Sequence, residues 1–248
     1  METEETKSGN EIKVWNSVLG AALKIPGARV RREEFLRSAL GKHVSDEVIR
    51  DAIATTPAKA GVSASVVKRA ADASIKWHRA GVSAASLAAG LPGGWWIAGT
   101  IPADLAQYFW HVVVVSQKLA FLHGWPELMN DEDEIDDETK MVLTLFIGVS
   151  MGAEGAATGL NQLGKAVARE VVKRLPRKPL TKFAIYNIAK TVARWLGVSL
   201  TKKKFAEYLG KAIPVVGGAV GGGLTWYLFG TGANRLHSHL EGLDLAKA

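Results

Sequence analysis

The chain has 248 residues, 48% of them hydrophobic and 22% charged, with a net charge of +7 and no cysteine. That length can bury one sizeable core, and the missing thiols exclude disulfides, thiolate metal sites and a cysteine nucleophile while suiting a reducing compartment. A mean hydropathy of +0.07 points to a globular protein with unusually apolar segments rather than a multi-span membrane protein.

In chain order, the opening METEETKSGNEIKVW is acidic and polar. It lacks the basic and apolar regions of a secretory signal. Residues 1–28 read as a polar segment with a short helix. Strand signals are nearly absent beyond it, whereas helical spacing recurs. Phe35, Leu36, Ala39 and Leu40 mark one helix that Gly41 can stop. Ser45 can cap the next, with Val48, Ile49, Ala52 and Ile53 facing inward before Pro57. Residues 60–64, AGVSA, recur at 80–84. Each copy sets a glycine stop beside a serine cap, but two copies fall short of a solenoid.

Residues 93–115, GGWWIAGTIPADLAQYFWHVVVV, carry a single acid, Asp104. No charge separates Arg79 from Asp104, and none follows until Lys118. Leu91–Gly94 breaks the preceding helix, and Thr100 or Ile101 caps a new one. Pro102 sits in its first turn, where a missing N–H costs nothing. Asp104 then meets the free amides and positive dipole end of that turn, which accounts for it as a helix-start acid. The helix is expected to reach about His123, with Gly124 as its C′ residue.

Residues 131–138, DEDEIDDE, hold seven acids in eight positions but lack the glycine and ligand spacing of a calcium loop, so a solvated loop is expected. A long helix should follow over about 138–174, with Gly148, Gly152, Gly155 and Gly159 along one face. Each interior glycine costs about 0.5–1 kcal/mol relative to alanine, and close approach of another helix would compensate. Past Pro176 and Pro179 come an amphipathic helix, 181–196, ended by Gly197, and a lysine-rich one, 201–209. Pro214 restarts the chain into a last apolar helix over about 215–229, with Gly217, Gly218, Gly221 and Gly222 at GxxxG spacings. No linker divides the chain. The expected fold is an all-α, single-domain multi-helix bundle with glycine-rich packing faces, over 29–240, with a tail at 241–248.

Constellations that could carry chemistry are sparse. Asp104, Gln107, His111 and Lys118 share one stripe of a helix, but the first acid and the histidine lie about 10.5 Å apart along the axis. Glu154 is the one charge between Met141 and Gly164 and is expected to face solvent, opposite the glycines. His237 and His239 fall near an expected frayed end, where metal binding is disfavoured. No Walker A, GxSxG, HExxH or post-strand GxGxxG occurs. Asp104, His111 and Glu154 are therefore weak catalytic candidates, and neither metal nor cofactor is expected.

The run PGGWWIAGTIPADL, a helix ending LAFLHGW, the acidic segment and the later GKAIPVVGGAVGGGLTWYLF together resemble the EcsC family of bacteria over about residues 30–240. Pro92, Gly93, Gly94, Pro102, Asp104, Gly124, Pro214, Gly217 and Gly221 are the positions that carry the motif. The resemblance implies a cytoplasmic or membrane-associated helical protein, in a family named for a component encoded with an ABC transporter. It assigns no residue a role, because no biochemical activity is established for the family.

Two stretches, 80–103 and 212–234, carry no formal charge. The first is broken by Leu-Pro-Gly-Gly and the second holds seven glycines and a proline, so neither makes a clean span of about 20 strongly apolar residues. Trp95, Trp96, Trp125 and Trp226 lie near the ends of apolar stretches, as interfacial tryptophans do. From Lys165 to Lys211 there are 13 Lys or Arg and two acids. Lys173, Arg174, Arg177, Lys178, Lys202, Lys203 and Lys204 in that region suit anionic headgroups at about 1 kcal/mol each. Nucleic acid is disfavoured, since no reader motif accompanies these cations. The expected protein is non-enzymatic, cytoplasmic and peripheral to the inner membrane. It would bind anionic lipid or a membrane-protein partner, and an accessory role to an ABC transporter would fit. The alternatives are an enzyme on lipid-like or acyl substrates using Asp104 and His111, and a pore-forming protein that inserts a helical hairpin. Sequence does not fix the oligomeric state.

Overall fold

The computed structural model describes residues 4–88, 103–129, 135–169, 183–200 and 220–247. Among these residues are nine α-helices and no strand: α1 (Glu4–Leu23), α2 (Arg32–Leu40), α3 (Asp46–Ala54), α4 (Ala64–Ala88), α5 (Ala103–Leu122), α6 (Asp137–Met151), α7 (Ala156–Arg169), α8 (Phe183–Ser199) and α9 (Val220–Glu241). The protein is an all-α single-domain bundle.

Its middle is set by hydrophobicity that goes all the way round a helix. Val112–Val115 and Leu119–Leu122 of α5 are buried on every side, which a helix achieves only inside a bundle. Accordingly α5 touches α1, α2, α4, α6 and α9. Helix α6 is equally apolar over Val142–Ile147 and packs on α5, α7, α8 and α9.

The N-terminal helix is longer than the short one expected, and it joins this core. Trp15, Val18, Leu19 and Ala22 fall at i, i+3, i+4 and i+7 and are wholly buried. Trp15 Nε1 donates to Thr144 Oγ1 of α6 at 2.9 Å, and its ring meets Phe109 edge-on at 5.3 Å. Ser45 caps α3 by accepting from the Val48 amide, and α5 ends where Gly124 adopts φ +85°, both as the sequence predicts.

Four glycine expectations are corrected by the structure. The single helix over 138–174 is two helices, because Gly152 and Gly155 adopt φ +78° and +80°, a left-handed conformation that costs glycine no Cβ clash. Gly148 and Gly159 are the close-approach pair. A Cβ on Gly148 would lie 2.5 Å from Val192 Cγ1, and one on Gly159 2.8 Å from Leu145 Cδ2 and 2.9 Å from Ile188 Cγ2. Gly81 stops nothing: it lies inside α4, where the His111 ring occupies the space a side chain would take. Gly197 likewise lies inside α8, which runs on to Ser199, and the Glu11 carbonyl of α1 fills its Cβ position. The last helix, described from Val220 onward, continues past Phe229 to Glu241, since Phe229, Ala233, Leu236 and Leu240 keep one face in the core. Gly221 and Gly222 fall in its first turn. Gly217, Gly218 and the helix expected over 201–209 lie outside the described residues.

The pairing of α4, α5 and α9 positions the site. Arg79 meets Trp226 and Gly230 while Asp72 is felt at His237, so α9 runs antiparallel to α4. Tyr108 meets Phe229 and His123 meets His237, so α5 and α9 run parallel. The end of α4 and the starts of α5 and α9 therefore meet at one end of the bundle. At the opposite end Arg32 ties α2 to α3 and to the chain just after α5. It donates to the carbonyls of Ala52, Ile53, Thr55 and Trp125 at 2.7–3.1 Å.

Candidate functional site

Halfway along the α4–α5 seam three nitrogen bases meet in the core. His78 Nδ1 lies 3.0 Å from His111 Nδ1, and Lys118 Nζ lies 3.0 Å from His78 Nε2. Gly81 admits the His111 ring, and Trp77, Trp110 and Phe229 surround the pair at ring distances of 4.6–6.5 Å. The Lys118 amine also stands 5.2 Å from the Trp77 ring and 5.9 Å from Phe35, within cation–π reach.

Donor and acceptor chemistry orders this chain. An ammonium only donates, so His78 Nε2 accepts from Lys118 and His78 carries its proton on Nδ1. That proton goes to His111 Nδ1, which leaves the His111 proton on Nε2. Burial, with Lys118 and then His111 adding repulsion, holds His78 down at about 2. Burial and Lys118 hold His111 at about 4. Burial also lowers Lys118.

A second pair closes the α5–α9 seam, with His123 Nε2 2.9 Å from His237 Nδ1. Burial and then His237 lower His123 to about 4. His237 is lowered by burial against the opposing pull of Glu241 and Asp72, with Lys68 adding to the fall.

The sequence candidates divide accordingly. His111 and Lys118 come together, but through His78, which the stripe on α5 could not include because it lies on α4. Two consecutive antiparallel helices set residues about equally far from the break between them at one height, and the Leu-Pro-Gly-Gly of the sequence was the available signal. Gln107 faces solvent. Asp104 lies in the first turn of α5, and its side chain is outside the described residues. Glu154 is exposed in the turn between α6 and α7, as expected. The expectation of a frayed end at His237 is corrected, because α9 continues beyond it and buries the ring against His123. Trp125 is also corrected. It is a core residue, fully buried and edge-on to Phe146 at 5.0 Å. Pro92, Gly93, Gly94, Pro102, Pro214, Gly217, Trp95, Trp96 and the seven cations of 173–178 and 202–204 lie outside the described residues.

Among the described residues no group of three or more His, Asp or Glu could hold a metal ion. No helix among them is long and apolar enough to cross a membrane. Chemically, the seam can hold or pass a proton along N–H···N contacts. It sets neither a carboxylate nor a hydroxyl nucleophile against His78 or His111 at hydrogen-bond distance among the described residues. Comparison with protein families, with characterised proteins and with solved structures returns no match.

Proposed function

We propose that the protein is a non-enzymatic, EcsC-like peripheral membrane protein. It engages anionic lipid, or a membrane-protein partner such as a transporter, through the end of the bundle where α4, α5 and α9 meet. The observation that carries this reading is a convergence. The described parts of the two uncharged stretches, 80–88 and Ala103 of the first and 220–234 of the second, are far apart in sequence, yet both reach that end. On α9 close to it, Trp226 and Tyr227 are 38% and 50% exposed. Arg79 of α4 stacks on the Trp226 ring at 4.1 Å and donates to its carbonyl at 2.7 Å. Aromatic rings with a wet edge and a cation beside them suit the headgroup region. The excess of cations over acids from 165 to 211 adds an electrostatic pull toward anionic headgroups.

An enzyme working through Asp104 and His111 has less support, because the polar partners of His111 in the core are His78 and, through it, Lys118. Flotation with vesicles tests the membrane reading. Recovery with phosphatidylglycerol-containing vesicles should exceed recovery with phosphatidylcholine alone by at least about fivefold, and should fall as salt is raised through the screening range. Equal recovery with both lipids, or none, would overturn it.

A further inference from the structure

We propose that the α4–α5–α9 seam is an acid-sensitive latch. Protons taken up by His78, His111 and the His123–His237 pair separate these three helices and free their apolar ends for lipid.

The contacts of the seam have a fixed number of places for hydrogen. The Lys118–His78–His111 chain has two N···N contacts, each of 3.0 Å, and each can contain one proton. With Lys118 charged, both are filled. A further proton on either ring sets N–H against N–H across a contact, beside an ammonium. The neighbours of His78 and His111 on α4, α5 and α9 are Trp77, Trp110 and Phe229, all neutral, and Lys118, a cation. The His123–His237 contact tolerates one proton, because an imidazolium can donate to a neutral ring, and Asp72 of α4 and Glu241 of α9 favour it while Lys68 of α4 opposes it. A second proton sets donor against donor there too. Of the six histidines, His43 alone is exposed, and four of the others lie buried on this seam.

Opening removes the clash by letting the rings turn to water. His78, His111 and His123 bind protons less readily in the closed protein than in water. The open state therefore binds more protons, and the latch is at full strength above about pH 6.5 and weakens as pH falls. Each such histidine lowers the closed-to-open ratio by up to about tenfold per pH unit between about 6.5 and 4, so three acting together give up to about a thousandfold per pH unit.

The lipid half of the proposal rests on the membrane reading above, whereas the latch itself does not. Hydrogen exchange of the full chain without lipid, at pH 7.5, 6.0 and 5.0, tests the latch. Amides of α4, α5 and α9 should lose protection by at least about a hundredfold more than those of α7 and α8, after correction for intrinsic exchange. The double variant His78→Gln/His111→Gln should lose much of this pH dependence, and the exposed-site variant His43→Gln should keep it. Should the double variant not fold, Lys118→Met serves, since removing the ammonium should shift the opening. Uniform loss over all helices, or an unchanged profile in both seam variants, would overturn the latch. The same proteins are then floated with phosphatidylglycerol vesicles at pH 7.5 and 5.0. Opening of the parent and of His43→Gln at pH 5.0 without more lipid recovery than at pH 7.5 would overturn the lipid half alone.

Discussion

Gly197→Ala is expected to destabilise the protein by about 1–3 kcal/mol in denaturant unfolding, although alanine is the better helix former by up to about 1 kcal/mol. The added Cβ would meet the backbone carbonyl of Glu11, and a backbone atom cannot turn aside as a side chain can. Helix α1 would have to move off α8, taking Trp15 and its bond to Thr144 with it. Gly20 supplies the matched control. It lies inside α1 with nothing within 4 Å of its Cβ position, so Gly20→Ala should stabilise by about 0.5–1 kcal/mol. Opposite signs at two helical glycines separate close packing from propensity. The same sign at both would remove the packing argument.

The second large effect lies at the other end of the bundle. Arg32 donates to four carbonyls from α3, the residue after it and the stretch after α5, while its own amide donates to Glu127 Oε1 at 3.3 Å. Three of these carbonyls, those of Ala52, Ile53 and Thr55, belong to the C-terminal turn of α3, whose last carbonyls have no partner within the helix. Arg32→Met should cost about 3 kcal/mol or more, because several acceptors lose a charged donor at once. Arg32→Lys should recover little of that, since one ammonium cannot reproduce a planar fork aimed at separate carbonyls. A lysine variant as stable as the parent in thermal unfolding would show that charge alone, not the fork, holds α2 to α3.

These two sites show what periodicity makes legible. Apolar spacing announces α2 and α3, and the Ser45 cap and the Gly124 terminus follow from chemistry local to a few residues. Gly81 and Gly197 looked like stops because a glycine is ambiguous until its neighbour is known. A His111 ring and a Glu11 carbonyl, far away in sequence, decide that both stay helical. Gly152 and Gly155 went the other way, and the face of four glycines became a turn flanked by two packing positions. Half of the basic seam could be seen on α5. Its other half required the register of α4 against α5, which no single-helix pattern contains. The His123–His237 contact was hidden further, because the apolar run ends at Phe229 and the helix persists on a sparser stripe of buried residues.

Lipid contact at one end of the bundle is the claim on which the functional account stands, and the cysteine-free chain allows a direct measurement of it. Tyr227→Cys places a label on the half-exposed face near the start of α9, and Glu47→Cys places one at an exposed position of α3, at the far end. Each variant would carry one environment-sensitive fluorophore and be titrated with phosphatidylglycerol vesicles. A label at position 227 should shift to the blue and be quenched by brominated lipid, with no change at 47. A shift at 47 alone, equal shifts at both, or none at 227 would contradict that claim.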